Sequence, residues 1–161
     1  MLVSVSPSDQ QAILEFWHGR FGVPFSALKG LRFLVRGKNV WAMADLMGVE
    51  EALALLKVEA AGLPFLRKRR SLWKPTTAAL LFLGDAIAKN VVDLTAEQLN
   101  PFLRGEILAG PFLVEGGYVA VRYEGKMLGC ALYGAAGLKS QLPRAWVETV
   151  RGGSAEVDGE A

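Results

Sequence analysis

Apolar and polar positions strictly alternate in two stretches of the chain and recur at helical spacing in several others. Between Gly116 and Gly134 the run Gly-Gly-Tyr-Val-Ala-Val-Arg-Tyr-Glu-Gly-Lys-Met-Leu-Gly-Cys-Ala-Leu-Tyr-Gly predicts a β-hairpin. Val119, Val121 and Tyr123 fall on one face, with Leu128, Cys130 and Leu132 as their expected cross-strand mates, and Glu124-Gly125 supplies the turn. The opposite face carries Tyr118, Arg122, Met127 and Gly129 and is smaller and partly basic. A glycine inside a strand marks a bulge, a barrel corner, or a place where another backbone comes close.

The second alternating stretch lies earlier. Leu31, Phe33 and Val35 alternate with Arg32 and Arg36, then Gly37-Lys38 turns the chain into a strand through Val40, Trp41 and Met43, a hairpin with basic outward positions. Helical spacing governs the rest. Ser6-Pro7 opens a helix to about Arg20 with Ile13, Leu14, Trp17 and Phe21 at its apolar positions. Glu50 to Ala60 reads as an amphipathic helix, with acidic residues in its first turn favoured by the helix dipole. Thr76 to Lys89 reads as a mostly buried helix and Val91 to Leu94 as a short inner strand. Thr95 opens a further helix as a capping box with Gln98; Pro101 either kinks it or restarts it with Asn100 as a new cap.

Composition narrows the function classes. The 161 residues are 52% hydrophobic, enough for one ordinary domain or two small ones with a shared interface. The net charge of +2 understates the basic character, because three of the 16 acidic residues (Glu156, Asp158 and Glu160) sit in a segment, 152–161, without apolar periodicity. Setting that segment aside leaves 18 basic against 13 acidic residues, a balance that suits a polyanionic partner. The single cysteine, Cys130, excludes an intramolecular disulfide and a cysteine-rich zinc site, and reads as a core thiol. The single histidine, His18, has no second ligand nearby. Met1 to Val5 lacks the features of a secretory leader, and the most apolar window, Ala78 to Ala88, is too short to span a bilayer and contains Asp85. A cytoplasmic protein without a membrane partner is the expectation.

The densest basic feature is Arg67-Lys-Arg-Arg70, followed by Trp73 and Lys74. Such a run is either a solvated loop or a surface whose cations neutralise phosphates while the aromatic ring stacks on bases. Arg104, beside Gly105 at a helix end, is either a partner for the helix dipole or a phosphate contact.

Three motifs in chain order carry a resemblance. Leu103-Arg-Gly-Glu106 ends a helix, Leu128-Gly129 stands in the second strand of the hairpin, and Gly137-Leu-Lys139 runs on to Pro143-Arg144. Together they resemble the PUA domain, more closely the version at the C-terminus of Sun-family RNA cytosine-5 methyltransferases, over about Lys74 to Val150. Ahead of them, Phe21-Gly-Val-Pro24, Arg36-Gly-Lys38, Val40-Trp41 and Lys74-Pro-Thr-Thr77 look like the segment preceding PUA domains in archaeal two-domain RNA-binding proteins and small ribosome-biogenesis factors. The resemblance implies an α+β fold: a small N-terminal α/β domain (1–73) and a PUA-like β-barrel flanked by helices (74–151) that grips structured RNA. The aperiodic, acidic composition of 152–161 makes that segment an expected disordered tail. The resemblance also implies RNA contacts at Arg104, Gly105, Lys126, Gly129, Lys139 and Arg144. With Arg122 of the hairpin and the basic segment (Arg67, Lys68, Arg69, Arg70, Trp73 and Lys74), these complete the candidate RNA-binding set.

Catalytic signatures are missing. A methyltransferase needs a glycine-rich turn after a strand for its cofactor, and a Sun-type enzyme also needs proline-cysteine motifs; Cys130 is not preceded by proline. No phosphate loop, nucleophile elbow or paired-histidine motif occurs, and the carboxylates, Asp45, Asp85 and Asp93 among them, are scattered. The expectation is a non-catalytic, cofactor-free and metal-free RNA-binding protein that recognises structured tRNA or rRNA and assists RNA modification or ribosome biogenesis, with no DNA partner. The alternative is a protein-interaction adaptor that docks on an RNA-modifying enzyme through an apolar patch.

Overall fold

The computed structural model describes residues 1–149; the tail expected at 152–161 lies outside them. The first helix, α1 (Pro7–Phe21), begins where Ser6 Oγ accepts the Asp9 amide at 3.2 Å and ends at Gly22. Its four-residue spacing buries Ile13, Trp17 and Phe21 on one side. That side packs on an antiparallel sheet of five strands in the order β1 (Val3–Ser4), β2 (Leu31–Arg36), β3 (Asn39–Ala44), β4 (Leu63–Arg67) and β5 (Lys74–Pro75). Trp17, Phe33 and Phe65 form the aromatic centre of this packing.

The outward side of β2 and β3 differs from the expectation of a basic, solvated face. Leu34 is buried there with Leu2 and with Leu53 of α2 (Val49–Leu55), and Trp41 and Met43 pack against them. Arg32 is paired with Asp45 at 2.8 Å and with Glu50, and Arg36 with Glu59. The helix expected to Ala60 stops at Leu55 because the chain turns extended at Leu56 and the Val58 carbonyl accepts the Leu2 amide at 3.1 Å. Closing that sheet edge satisfies a backbone group that another helical turn would strand.

α3 (Thr77–Leu83) is likewise shorter than expected, broken at Gly84 and followed by a single 3-10 turn. A second sheet runs β6 (Val91–Leu94), β7 (Gly117–Tyr123), β8 (Lys126–Gly134), β9 (Gly137–Ser140), with β6 parallel to β7 and the other pairs antiparallel. It curls into a half-barrel, and a bridge between Leu108 and Leu138 extends its β9 edge. The capping box of Thr95 and Gln98 opens α4 (Ala96–Leu103), which continues through Pro101 without a restart at Asn100 and buries Phe102 and Leu103 against the concave side.

The β7–β8 hairpin forms as the alternation predicts, turning at Glu124 and Gly125, both at positive φ. Its register does not. A bulge places Val121 opposite Gly129 and Arg122 opposite Met127, leaving Leu128 unpaired. Cys130 therefore lies opposite Ala120, and Val119 opposite Ala131. Both faces of the hairpin are buried: Tyr118, Ala120 and Cys130 join the main core, while Val119, Val121 and Ala131 join the second. Cys130 is held in this core, where burial pushes its thiol up to about 12.

The main core runs without interruption from Trp17 and Phe65 through Leu80 to Tyr118 and Cys130, across the sequence position near 73 and 74. Backbone pairing of Arg67 with Lys74 spans the same position. Thr77 is the hinge pin: its Oγ1 accepts the Cys130 amide at 3.3 Å. A Cβ on Gly129, at φ +147, would stand 2.6 Å from the Thr77 side chain and 2.5 Å from Leu142.

Candidate nucleic-acid interface

The basic run occupies the loop between β4 and β5, with only Arg67 inside a strand. Each cation is steered separately. Lys68 reaches Asp9 at 3.4 Å and stands 5.4 Å from the Trp73 ring centroid. Arg69 donates from Nη1 to Tyr118 Oη at 3.0 Å, with its guanidinium 5.9 Å from that ring's centroid. Lys74 donates from Nζ to Gln141 Oε1 at 3.0 Å and stands 5.6 Å from the same Tyr118 ring. Both cations thus gather at the buried Tyr118 ring, which fixes where the basic loop meets the second sheet. Arg67 and Arg70 are exposed beside it.

The second sheet brings further charge to this side. Tyr118 pairs with Leu132 and Leu132 with Lys139, so the three side chains share one face and Lys139 stands two strands, roughly 10 Å, from Tyr118. Past β9, Gln141 and Pro143 lead into a helical segment, 144–149, that Arg144 begins. Gln141, Pro143, Arg67, Arg69 and Lys74 line one cleft. Among the described residues, Arg67, Arg69, Arg70, Lys74, Lys139 and Arg144 have no carboxylate within ion-pair distance.

Other members of the candidate set are not brought here. Arg104 is paired with Glu106 at 2.7 Å just beyond α4, and Gly105 lies beside that pair. Arg122 makes a two-pronged contact with Asp93, at 2.9 and 3.0 Å, that holds the Asp93 carboxyl below its ordinary value and raises the guanidinium. Lys126 is at the hairpin tip, opposite Tyr123, five residues or roughly 17 Å along β7 from Tyr118. Gly129 is buried against Thr77 and Leu142, where its missing side chain admits α3. Trp73 is half-buried, tilted on Phe16 at 5.6 Å with the Lys68 ammonium over its ring, so it anchors the basic loop to α1.

Sequence reasoning missed Tyr118 and Arg20. Arg20, near the end of α1, donates to the Tyr118 carbonyl from Nε at 3.0 Å and from Nη2 at 2.8 Å, and pairs with Glu115 at 3.2 Å. Burial lowers its pKa and Glu115 opposes that shift. Asn90 completes the clasp, donating to the Arg20 carbonyl at 2.7 Å and to the Glu115 carboxylate at 3.0 Å. The start of β7, and with it the Tyr118 ring, is thus fixed from α1. The aromatic at 118 was visible in the hairpin pattern; its partners, far off in sequence, were not.

Residues 89–148 match the family model described as the methyltransferase RsmF PUA domain, a PUA-like domain related to the Sun-family methyltransferases. A PUA domain is an RNA-binding module, and it supports RNA as the partner. The fold of nearly the whole chain is similar to the crystal structure of hypothetical protein PH0734.1 from the hyperthermophilic archaeon Pyrococcus horikoshii OT3. That likeness has a TM-score of 0.51 at 17% identity and covers 92% of this chain and 87% of that one. It takes in the N-terminal sheet as well as the PUA-like part. No curated protein matches the chain.

Proposed function

We propose that the protein is a non-catalytic RNA-binding module of two cooperating units, an N-terminal α/β unit (1–73) and the PUA-like unit (74–151), that recognises structured tRNA or rRNA in the cytoplasm. It assists RNA modification or ribosome biogenesis in company with a separate RNA-modifying enzyme. The carrying observation is the meeting of Arg69 and Lys74, from the basic loop, over Tyr118 of the PUA-like sheet. The RNA backbone is neutralised by Arg67, Arg69, Arg70 and Lys74, with Lys139 and Arg144 extending the track. Phosphate contacts of this kind fix register and orientation. A salt titration with a folded tRNA and an rRNA helix tests the reading: binding tighter than about 10 μM near 50 mM salt, weakening steeply as salt rises, is the expected result. Weaker binding, or affinity indifferent to salt, overturns it.

A second reading, an adaptor docking on an RNA-modifying enzyme, is favoured by one observation. Leu46, Met47, Leu55 and Leu56 stand exposed on and just before and after α2. Glutamate at positions 47 and 55 would abolish an apolar docking contact and leave RNA affinity unchanged.

A further inference from the structure

The cleft beside the basic loop is more than a stretch of charged surface. It encloses about 270 Å³ on the outward face of β3, β4 and β5. That is close to the lower end of ligand-pocket volumes, about 300 Å³, and suits a single nucleotide-sized group. Its floor is apolar, from Leu66, Pro64 and Pro75, and Trp41 forms one wall. Trp41 is itself backed by the Leu2–Leu34–Leu53 cluster, so its ring is held in place from behind. On the opposite side Gln141 and Pro143 of the PUA-like half close the space. Among the described residues no carboxylate lines it.

We propose that this cleft seats one unpaired nucleotide of the bound RNA, its base against Trp41 and its phosphate toward Arg67 and Lys74. The inference rests on the RNA-binding reading above and adds what that reading lacks, a reason for the protein to prefer a bulge, loop or end over a plain duplex. Four features favour a nucleotide over other occupants. An aromatic wall beside an apolar floor suits a flat heterocycle, and unpaired bases are commonly read by stacking. Cations confined to one rim suit the attached phosphate. Asn39 offers an amide donor and an acceptor for a base edge, and among the described residues no hydrogen bond engages them; the Gln141 amide accepts from Lys74 and donates to the Ser140 carbonyl, which fixes its orientation and leaves it one further N–H. Finally, Arg69 and Lys74 belong both to the cleft and to the Tyr118 cluster, so a strand on the basic track passes the mouth of the pocket. A base already unpaired enters without the cost of breaking a pair.

The test uses two RNA hairpins of one sequence, one fully paired and one with a single bulged 2-aminopurine, titrated with the full chain at fixed low salt. The bulged hairpin should bind about tenfold more tightly, as stacking of one base supplies, and its 2-aminopurine emission should change on binding. Asn39→Trp, at an exposed position, fills the cleft, and Trp41→Leu removes its wall. Each should bring the bulged hairpin down to the affinity of the paired one, abolish the emission change and leave paired binding unaltered. If Trp41→Leu does not fold, Asn39→Trp decides alone. Equal affinity of the wild-type chain for both hairpins, or a preference that survives Asn39→Trp, overturns the nucleotide seat while leaving the RNA-binding reading standing. Failure of either hairpin to bind sinks both.

Discussion

Arg69 and Tyr118 are 49 residues apart in sequence and joined by a 3.0 Å hydrogen bond from guanidinium to phenol. The bond fastens a loop of the first sheet to a strand of the second. Because it uses one of five guanidinium donors, the rest stay available to phosphate oxygens. Arg69→Ala should therefore weaken RNA binding about three- to tenfold and lower the salt-dependence slope by about one. Its thermal stability should change little, since the side chain is exposed. Fluorescence anisotropy across a salt series reads both quantities, and an unchanged slope would remove Arg69 from the interface.

Arg104 and Arg122 provide the internal control. Both are already neutralised, by Glu106 and Asp93, and sit apart from the Tyr118 cluster. Arg104→Ala and Arg122→Ala should each alter RNA affinity by less than about twofold, with a slope change well below one. A loss matching that of Arg69→Ala would move the RNA track onto the α4 end of the molecule.

Gly129 should be the least substitutable position in the hairpin. At φ +147 a side chain is strained, and its Cβ would meet Leu142 and Thr77 at 2.5 and 2.6 Å. Gly129→Ala is expected to destabilise the fold by about 2–4 kcal/mol through overpacking and backbone strain combined. Chemical denaturation measures this; a cost below about 1 kcal/mol would mean that the two sheets are not locked at this point.

Two carboxylates make stability depend on acid. The hydrogen bond from Arg122 holds Asp93 below its ordinary pKa, and the hydrogen bond from Asn90, then Arg20, lowers Glu115. A depressed folded-state value means that the unfolded chain takes up protons first as pH falls. Their contribution is thus fully present above the ordinary carboxylate range and is lost as pH drops through the folded values. Melting temperature should be flat from neutrality to about pH 5 and fall below it. Asp93→Asn should flatten part of that fall, and an unaltered acid limb would show that the pair with Arg122 contributes nothing.

Much of this architecture was readable from residue order, and the failures share a cause. The β7–β8 hairpin announced itself by alternation and by Glu124-Gly125, but the bulge at Leu128 shifted every pairing beyond it. Only Gly129 hinted at the shift. Helical spacing continued through Ile87 although α3 ends at Leu83, because a residue after the break can rejoin the same core. Likewise α2 stops early because Val58 is claimed by Leu2, a partner no local pattern contains. The basic run was conspicuous as a run. Which cations remain unpaired depended on Asp93 and Glu106, and which aromatic serves them depended on Tyr118, not the adjacent Trp73.

Cys130 gives the molecule a built-in reporter. With its thiol sealed between α3 and β8 and pushed up to about 12, it should be inert to alkylating reagents until those elements part. Labelling kinetics at this one sulfur then clock how often the join between the halves comes open. An RNA that clamps both halves at once should slow that clock in proportion to its occupancy.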